Sequence, residues 1–431
     1  MDLRKNLSLQ TYSQPIHVYI NKNRLLNLNS FVIAEHFANA GYVPLWEGRR
    51  GFQILGASPL LAFRGAHICN PKGQPAHLVL RNKAFFKQLL EQEQIATAHG
   101  LVFSAETREQ AQAFLSSAAR LCVIKPVAGK QGKGVTTGIS DITALNLAIE
   151  EALAVFTEQA ELLIEEQFCD AEEARLLIVN GQCISAFKRL APAICGDAIT
   201  SINDLINESN KLKRKNPNEC RLLIELTPSR LRALAKQNYT PQSILPKGEW
   251  LKLDDKASIS TGGYTYECSD QIDESYKLIA ERAAKLAAPT AVIGVDIMAK
   301  DFTQPANHDN YIVLEANSGP AITGHQYPSY GKAVDVVAAI VNFCFSTRQF
   351  LPLTDTKLKV KVNIFVPPKL DATPMWLQLI KLVISADCDV SEIVPPHQLT
   401  LSTSEKNLQR IQSDFYQFFS QKNAALVFSR E

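Results

Sequence analysis

The sequence predicts a multidomain protein that combines α/β and α+β lobes. Helical and strand-like apolar patterns alternate from the start of the chain to about residue 320. A glycine-rich hairpin near residue 130 lies within this alternation, and a separate α/β pattern begins at about residue 350. With 431 residues, 46% of them hydrophobic, the chain is long enough to bury several cores. We expect roughly two to four lobes.

The elements follow in order. Residues 16–20 (IHVYI) predict a short strand, and residues 31–40 (FVIAEHFANA) predict a helix that Gly41 ends. A second helix is expected between residues 82 and 100, and residues 122–139 predict a β-hairpin with a glycine-rich tip.

The region after residue 350 predicts a small α/β tail, whose role the sequence does not indicate. Its first segment, KVKVNIFVPP, and its last, AALVF, are strand-like. The two segments between them, TPMWLQLIKLVISA and SEKNLQRIQSDFYQFFSQ, are helical. No internal repeat or low-complexity segment indicates a solenoid or a disordered scaffold.

Composition narrows the class of partner. Lys and Arg number 45 against 43 Asp and Glu, a formal charge of +2, which argues against nucleic-acid or acidic-membrane capture. The basic run 211–219 has no interleaved aromatic residues and is interpreted as a solvated loop. No apolar run could span a bilayer and no signal peptide follows Met1, so we expect a cytoplasmic protein with a small-molecule partner. The nine cysteines include no CxxC pair and give no support for a zinc or dithiol site.

The glycine-rich tip is a candidate phosphate-binding loop. Gly129, Gly132 and Gly134 let backbone N–H groups approach an anion, while Lys125 precedes the tip at the end of a β-prone run. A lysine on a strand would hold a phosphate as a fixed point charge. The loop is not a Walker A motif, and a glycine-rich hairpin taken alone is more often a plain turn.

The segment LLIEEQF is a candidate adenine-binding strand. It ends in Glu165 and Glu166, where backbone groups would suit an adenine edge and a carboxylate would suit a ribose hydroxyl. A strand end with exposed acidic residues is the alternative.

Two further apolar strands predict a magnesium site. Asp296 lies inside GVDIM, and Glu315 and Asn317 end YIVLEAN, where period-two alternation places the last two on one face. Acidic side chains inside apolar strands are costly unless they are paired or bind a metal, and Mg²⁺ needs only a few protein oxygens beside ATP phosphates. A structural ion pair is the alternative.

Two stretches rich in small polar groups are candidate substrate sites. One is SISTGG, which includes Ser260, Thr261, Gly262 and Gly263, and the other runs from Gly319 through His325 to Gly331. A loop histidine without a catalytic role is an equal interpretation of His325.

The order of these motifs resembles the ATP-grasp half of cyanophycin synthetase and, less closely, the glutathione-synthetase module of bifunctional glutathione enzymes. The resemblance covers roughly residues 30 to 345 and rests on eight motifs: NKAFFKQLL, KPVAGKQGKGV, IEEQF, EEARLLIVNG, QSILPKGEW, SISTGG, GVDIM and EANSGPAITGHQYPSYG.

The resemblance implies an ATP-grasp fold with three parts. These are an N-terminal α/β pre-ATP-grasp lobe (1–80), an ATP-grasp region (81–347, with an ATP-binding lobe at about 100–170 and a catalytic lobe at about 171–347) and the tail (348–431). It also implies an ADP-forming ligase that activates a carboxylate as an acyl phosphate and joins it to the amine of an amino acid or peptide. ATP would be used with one or two Mg²⁺ ions, for which Mn²⁺ can substitute, and a homo-oligomer would be reasonable.

Residue roles follow from the same resemblance. Lys83 and Lys125 would contact the ATP phosphates, and Gly132 and Gly134 would form the phosphate lid. Glu165 to Phe168 would line the adenine pocket and Glu173 would hold the ribose. Metal ligation would fall to Asp296, Glu315 and Asn317, and substrate or phosphate contacts to Arg175, Arg189 and the run from Ser260 to Gly263.

The departures from the resemblance affect the substrate. No second P-loop of the GxxxxGK[ST] type follows residue 345, so we do not expect arginine to be added to polymer side chains. Thr323 stands where the family has an arginine, which removes a cation from the expected substrate pocket. Three alternatives stay open: a peptide-modifying or natural-product ligase, a nucleotide-binding regulatory protein without turnover, and a carboxylase that uses bicarbonate.

Overall fold

The computed structural model describes residues 9–69, 79–127, 133–155, 161–254, 257–287, 292–386, 388–394, 398–419 and 423–431. The chain divides into two compact units. Unit 1 comprises Met1–Gly73, Ile184–Ser269 and Gly319–Glu431, and unit 2 comprises Gln74–Cys183 and Asp270–Ser318. Within the described ranges, no helix is both long and apolar enough to cross a membrane.

The described residues form α-helices and β-strands in an alternating order. The helices are α1 Pro15–Lys22, α2 Leu28–Asn39, α3 Lys83–Gln92, α4 Arg108–Ser117, α5 Ile142–Val155, α6 Ile202–Lys213, α7 Pro228–Lys236, α8 Glu274–Lys285, α9 Thr323–Gln326, α10 Val336–Thr347, α11 Thr373–Ser385 and α12 Glu405–Phe418. The strands are β1 Pro44–Glu47, β2 Gly51–Ile54, β3 Ala57–Ser58, β4 Leu61–Arg64, β5 His67–Cys69, β6 Gly100–Phe103, β7 Cys122–Pro126, β8 Thr136–Ile139, β9 Leu162–Glu166, β10 Glu172–Val179, β11 Gln182–Leu190, β12 Ala193–Cys195, β13 Trp250–Lys252, β14 Tyr264–Glu267, β15 Val292–Ala299, β16 Tyr311–Asn317, β17 Gln349–Phe350, β18 Lys357–Phe365, β19 Asp389–Val394, β20 Gln398–Ser404 and β21 Ala425–Arg430. Short 3₁₀ turns lie at Ala105–Thr107 and Ile259–Thr261.

Unit 2 contains a four-stranded antiparallel sheet in the order β6-β9-β7-β8. The predicted hairpin is its β7–β8 pair, joined in register at Cys122 with Ile139 and at Ile124 with Thr136. The apolar faces of α4 and α5 cover the sheet and bury one core, in which Ile164 is among the residues with no solvent exposure. Burial of apolar area on one face is the main force that holds such a layer together.

Unit 2 also contains three long antiparallel strands, β10, β15 and β16. A register shift after Asp296 inserts an extra residue in β16, because Asp296 faces Glu315 while Ile297 faces Val313. Such a bulge re-aims the side chains beside it. Helix α8 buries Tyr276, Ala280 and Ala283.

Unit 1 is organised around an eight-stranded sheet in the order β19-β20-β18-β21-β1-β2-β4-β5. The tail supplies its first four strands, and β1 runs parallel to β21 with Leu45 opposite Phe428. Helices α11 and α12 pack their apolar faces on the tail strands around Leu379 and Phe415. In the same unit β11 pairs with β14, β12 with β13, and β3 with β17.

The strand predicted at residues 16–20 is wrong, because these residues lie in α1. Pro15 occupies the first helical turn, where its missing N–H is no loss, and Ile16 and Ile20 are buried one turn apart. The second predicted helix is shorter than expected and ends at Gln92. The strand and helix types predicted for the tail are confirmed by β18, α11, α12 and β21.

Candidate functional site

A buried carboxylate with two lysines lies on the four-stranded sheet of unit 2. Glu165 on β9 is only 5% exposed and faces Val123 on β7, so Lys125, two residues along β7, lies on the same side of the sheet. Lys125 Nζ lies 2.5 Å from Glu165 Oε2, and Lys87 Nζ of α3 lies 2.6 Å from Oε1. Each carboxylate oxygen therefore has its own ammonium partner.

The two ammonium groups decide the charge of Glu165. Burial by itself would raise the pKa of this carboxyl, but Lys125 and Lys87 outweigh burial and hold the pKa below its ordinary value. Gly100 on β6 faces Glu165 across the sheet, and a Cβ at this position would lie 2.3 Å from the Ile164 carbonyl oxygen and 2.7 Å from Glu165 Cγ. Only glycine fits beside the buried carboxylate.

Helix α3 connects both sheets of unit 2 through lysines one turn apart. The Asn82 side chain accepts a hydrogen bond from Phe85 N at the start of the helix. Lys83 Nζ lies 3.0 Å from Glu315 Oε2 on β16, while Lys87 binds Glu165 on β9. Sequence reasoning missed Lys87, although its i+4 spacing from Lys83 places both side chains on one helix face.

The second sheet carries a row of charged side chains across three strands. Arg175 on β10 faces Asp296 on β15, which faces Glu315 on β16. Arg175 donates two hydrogen bonds of 2.6 Å, from Nε and Nη2, to the two oxygens of Asp296. Asn317 Nδ2 donates to Glu315 Oε1 at 3.1 Å. The predicted metal ligands thus lie on adjacent strands, with Arg175 beside them.

The donor set fits a hard cation such as Mg²⁺. Asp296 is 2% exposed, and Asp296 and Glu315 offer carboxylate oxygens from in-register positions while Asn317 adds an amide oxygen. Both carboxylates already have a cationic partner, because Arg175 contacts Asp296 and Lys83 contacts Glu315. Among the described residues no group of three or more His, Cys, Asp or Glu side chains is placed to hold a metal ion. The predicted ligands are instead two carboxylates and one amide.

The residues predicted to contact adenine and ribose lie at the end of β9 and on β10. Glu166 Oε1 accepts a hydrogen bond of 3.2 Å from Ala119 N, and Glu166 N donates to His99 O. Phe168 packs with Ala98 and Ile312, and Lys300 Nζ lies 5.1 Å from its ring centroid. Glu173 faces Met298 across the β10–β15 pair.

The predicted phosphate lid is only partly described. Gly129 and Gly132 lie outside the described residues. Gly134 has a φ of 67°, a left-handed conformation that glycine adopts without strain, and it precedes β8.

The predicted substrate-binding residues lie in unit 1. Ser260, Thr261 and Gly262 form a tight turn after Ser258, and the Thr261 carbonyl accepts a hydrogen bond from Arg230 Nη2. Lys213 Nζ donates to Gly263 O at 2.8 Å. Sequence reasoning missed Arg230 and Lys213. Both are far along the chain from the SISTGG segment that they contact, so no local pattern indicates the contact.

His325 and Arg189 lie on other elements of the same unit. His325 is fully buried, its Nδ1 lies 2.8 Å from Ser185 Oγ, and its ring contacts Phe187 at a centroid distance of 4.5 Å. Arg189 on β11 faces Thr265 on β14. Burial places His325 inside the packed unit, in contact with Ser185 and Phe187.

Comparisons with known proteins identify relatives of the chain. No family model matches it. It is 28% identical over 229 residues to cyanophycin synthetase from Synechocystis sp., covering 52% of this chain and 25% of that protein. It is 31% identical over 257 residues to the glutathione biosynthesis bifunctional protein GshAB from Desulfotalea psychrophila, covering 59% of this chain and 32% of that protein.

The solved structures include a matching fold. A bifunctional glutathione synthetase from Pasteurella multocida matches with a TM-score of 0.59 and 23% identity, covering 75% of this chain and 44% of that one. The chain spans about a quarter to a third of the curated relatives reported above. The predicted resemblance and fold are confirmed: the chain is a homologue of cyanophycin synthetase and of GshAB, and it has the multidomain ATP-grasp fold.

Proposed function

We propose that the chain is an ATP-dependent ligase that activates a carboxylate as an acyl phosphate and joins it to an amine. The observation that carries this proposal is the arrangement in unit 2, where Lys83 and Lys87 of α3 reach Glu315 and Glu165 on two different sheets. The homology to cyanophycin synthetase and GshAB supports the same reaction class.

The lysines would supply the positive charge that ATP phosphates require. Lys125 is fixed on a strand and held by Glu165, so its ammonium group costs little to orient. Lys83, at the start of α3, would contact the phosphates together with Lys125 and the glycine-rich lid. Lys87 acts as a positioning residue, because it holds the second oxygen of Glu165.

Asp296, Glu315 and Asn317 would hold Mg²⁺, with Mn²⁺ as a substitute. The bound metal would neutralise phosphate charge during transfer. Arg175 holds both oxygens of Asp296 and therefore positions this carboxylate. Burial would lower the pKa of the Arg175 guanidinium, but Asp296 outweighs burial and raises it, so Arg175 stays charged.

The reaction proceeds in two steps. An oxygen of the substrate carboxylate attacks the γ-phosphorus of ATP, the bond to the β-phosphate oxygen breaks, and ADP leaves. The amine nitrogen then attacks the acyl carbon, the carbon–oxygen bond to phosphate breaks, and the amide, phosphate and a proton are released. Excluding water protects the acyl phosphate from hydrolysis between these steps.

The substrates we propose are amino acids or short peptides. The relatives' names support this class, since one makes cyanophycin and the other serves glutathione biosynthesis. A peptide-modifying ligase would use the same site with a larger acceptor. A regulatory nucleotide-binding protein would keep the fold without turnover.

The test is ADP release by the purified protein with Mg-ATP and pools of amino acids and dipeptides. We expect ADP release to depend on a carboxylate and an amine together, and to fall at least about 100-fold in Asp296→Asn and Glu315→Gln. Glu109→Gln, which removes an exposed carboxylate from α4 of the same unit, is the matched control and should keep full activity.

Direct ATP titration separates the alternatives. ATP binding without turnover in any pool would favour the regulatory protein or a macromolecular substrate, and bicarbonate-dependent turnover would favour a carboxylase. Absence of ATP binding would contradict the proposal, and unchanged turnover in both acidic-site variants would contradict the metal assignment.

A further inference from the structure

Unit 1 contains a pocket of about 860 Å³ that is lined by five arginines. They come from four separate parts of the chain: the end of α1, the turn between β1 and β2, the end of β4 and the segment after α6. The arginines are Arg24, Arg49, Arg50, Arg64 and Arg221. A volume between about 300 and 1,000 Å³ is typical of pockets for small molecules.

The charge of this pocket is unbalanced. Among the described residues that line it, Glu47 is the one acidic side chain, and Glu47 Oε1 lies 3.7 Å from Arg430 Nη1. Within the described ranges none of the five arginines forms an ion pair with an acidic side chain. Like charges that face one pocket without anionic partners repel one another, so a bound anion would remove an unfavourable interaction.

The backbone that carries the arginines is anchored by hydrogen bonds. The Arg49 carbonyl accepts from Asn27 N at 2.7 Å, and the Arg50 carbonyl accepts from Ser30 Oγ at 2.7 Å and Gly65 N at 3.1 Å. Arg24 has a φ of 54°, an uncommon conformation for a residue other than glycine. The backbone positions of Arg49 and Arg50 are therefore set before a ligand binds, which removes part of the entropy cost of binding.

Two other features indicate an organic anion. Leu26, Phe52 and Phe63 line the pocket and are buried, with the two phenylalanine rings stacked at a centroid distance of 4.9 Å. The N-terminus of the 12-residue helix α2 also lines the pocket, through its N-cap Asn27 and its first residue Leu28. Apolar surface suits a carbon skeleton, while the helix dipole adds positive partial charge.

We propose that this pocket binds an organic anion with two or more separate acidic groups, each paired with a guanidinium. Guanidinium forks bind carboxylates and phosphates in the same bidentate manner, so the shared chemistry is a small polyanion. Charges distributed over four segments suit several acidic groups better than one. This site is independent of the nucleotide site proposed in unit 2.

The test is isothermal titration of the full chain with two polyanions and one neutral probe. The probes are a tri-glutamate peptide, fructose 1,6-bisphosphate and a tri-glutamine peptide. We expect at least one polyanion to bind at about 50 mM salt, to bind more weakly at about 500 mM, and the neutral peptide not to bind. The polyanion that binds identifies carboxylate or phosphate as the natural acidic group.

Variants locate the binding. The double variant Arg50→Ala, Arg64→Ala should raise the Kd at least about tenfold. The double variant Arg50→Lys, Arg64→Lys should have a Kd between that of the alanine variant and that of the original protein. Arg232→Ala, an exposed arginine of α7 outside the pocket, is the matched control and should bind as the original protein does. The Lys pair keeps the charge and so distinguishes lost recognition from lost folding.

Three results would overturn the proposal. The first is that neither polyanion binds, and the second is that the neutral peptide binds as tightly as the polyanions. The third is that the Arg50→Ala, Arg64→Ala variant leaves the Kd unchanged, or that Arg232→Ala raises the Kd as much as this pair does.

Discussion

Removing the charge of Glu165 should destabilise unit 2 strongly. In Glu165→Gln, the carboxylate that Lys87 and Lys125 share becomes a neutral amide. Both lysine side chains are largely buried, 9% and 12% exposed. Loss of one partner of a buried ion pair costs about 3–5 kcal/mol. For a domain of about 150–250 residues this corresponds to a fall in melting temperature on the order of 6–20 °C.

The pH dependence of this loss provides a sharper test. The pKa of Glu165 is lower in the folded protein than in the unfolded chain. Its stabilisation is therefore fully present above the unfolded value of about 4.3 and is lost as the pH falls through the folded pKa. The difference between Glu165→Gln and the original protein should be full at neutral pH and should shrink below about pH 4.

Differential scanning calorimetry between neutral and acidic pH measures both effects. Glu166→Gln is the matched control, since the neighbouring side chain accepts one backbone hydrogen bond that glutamine can also accept. It should cost less than about 1 kcal/mol. A loss below about 1 kcal/mol for Glu165→Gln at neutral pH, or a difference that persists unchanged at acidic pH, would refute the reasoning.

Three other predictions follow from local contacts. Asp296→Asn should lower the melting temperature because it leaves the Arg175 charge buried, and adding Arg175→Gln should restore part of it; no recovery in calorimetry would count against a buried ion pair. Gly100→Ala should cost about 1–3 kcal/mol in urea unfolding and weaken ATP binding, because its methyl group meets the Ile164 carbonyl; a neutral result would contradict this packing. Cys344 should resist thiol labelling at pH 8 until the protein unfolds, since burial raises its pKa to about 12, whereas half-buried Cys169 should react first; mass spectrometry of labelled peptides would expose the reverse order.

Local patterns predicted the elements of the site well. The apolar runs around Asp296 and Glu315 form strands because β-branched residues on buried strands satisfy both packing and backbone hydrogen bonding. The error at residues 16–20 arose because IHVYI alternates in polarity and also has Ile16 and Ile20 four residues apart. Pro15 at the first helical turn is the local signal that favours the helix.

Long-range partners could not be predicted from the same patterns. Arg175 and Asp296 are 121 residues apart in sequence, and neither segment contains a signal for the other. The pairing of β1 with β21 likewise depends on the whole fold. Lys87 was recoverable, because a helix that presents Lys83 must present its i+4 neighbour on the same face. The roles of the predicted site residues in binding and catalysis stay predictions.

The position of β21 has a consequence for the order in which the protein folds during synthesis. This strand lies between β18 and β1, so the two halves of the eight-stranded sheet can join only after residues 425–430 have been made. Every segment of unit 2 is synthesised by residue 318. We therefore expect unit 2 to acquire its structure on the ribosome first, while the edge of β1 stays unpaired until β21 has been made.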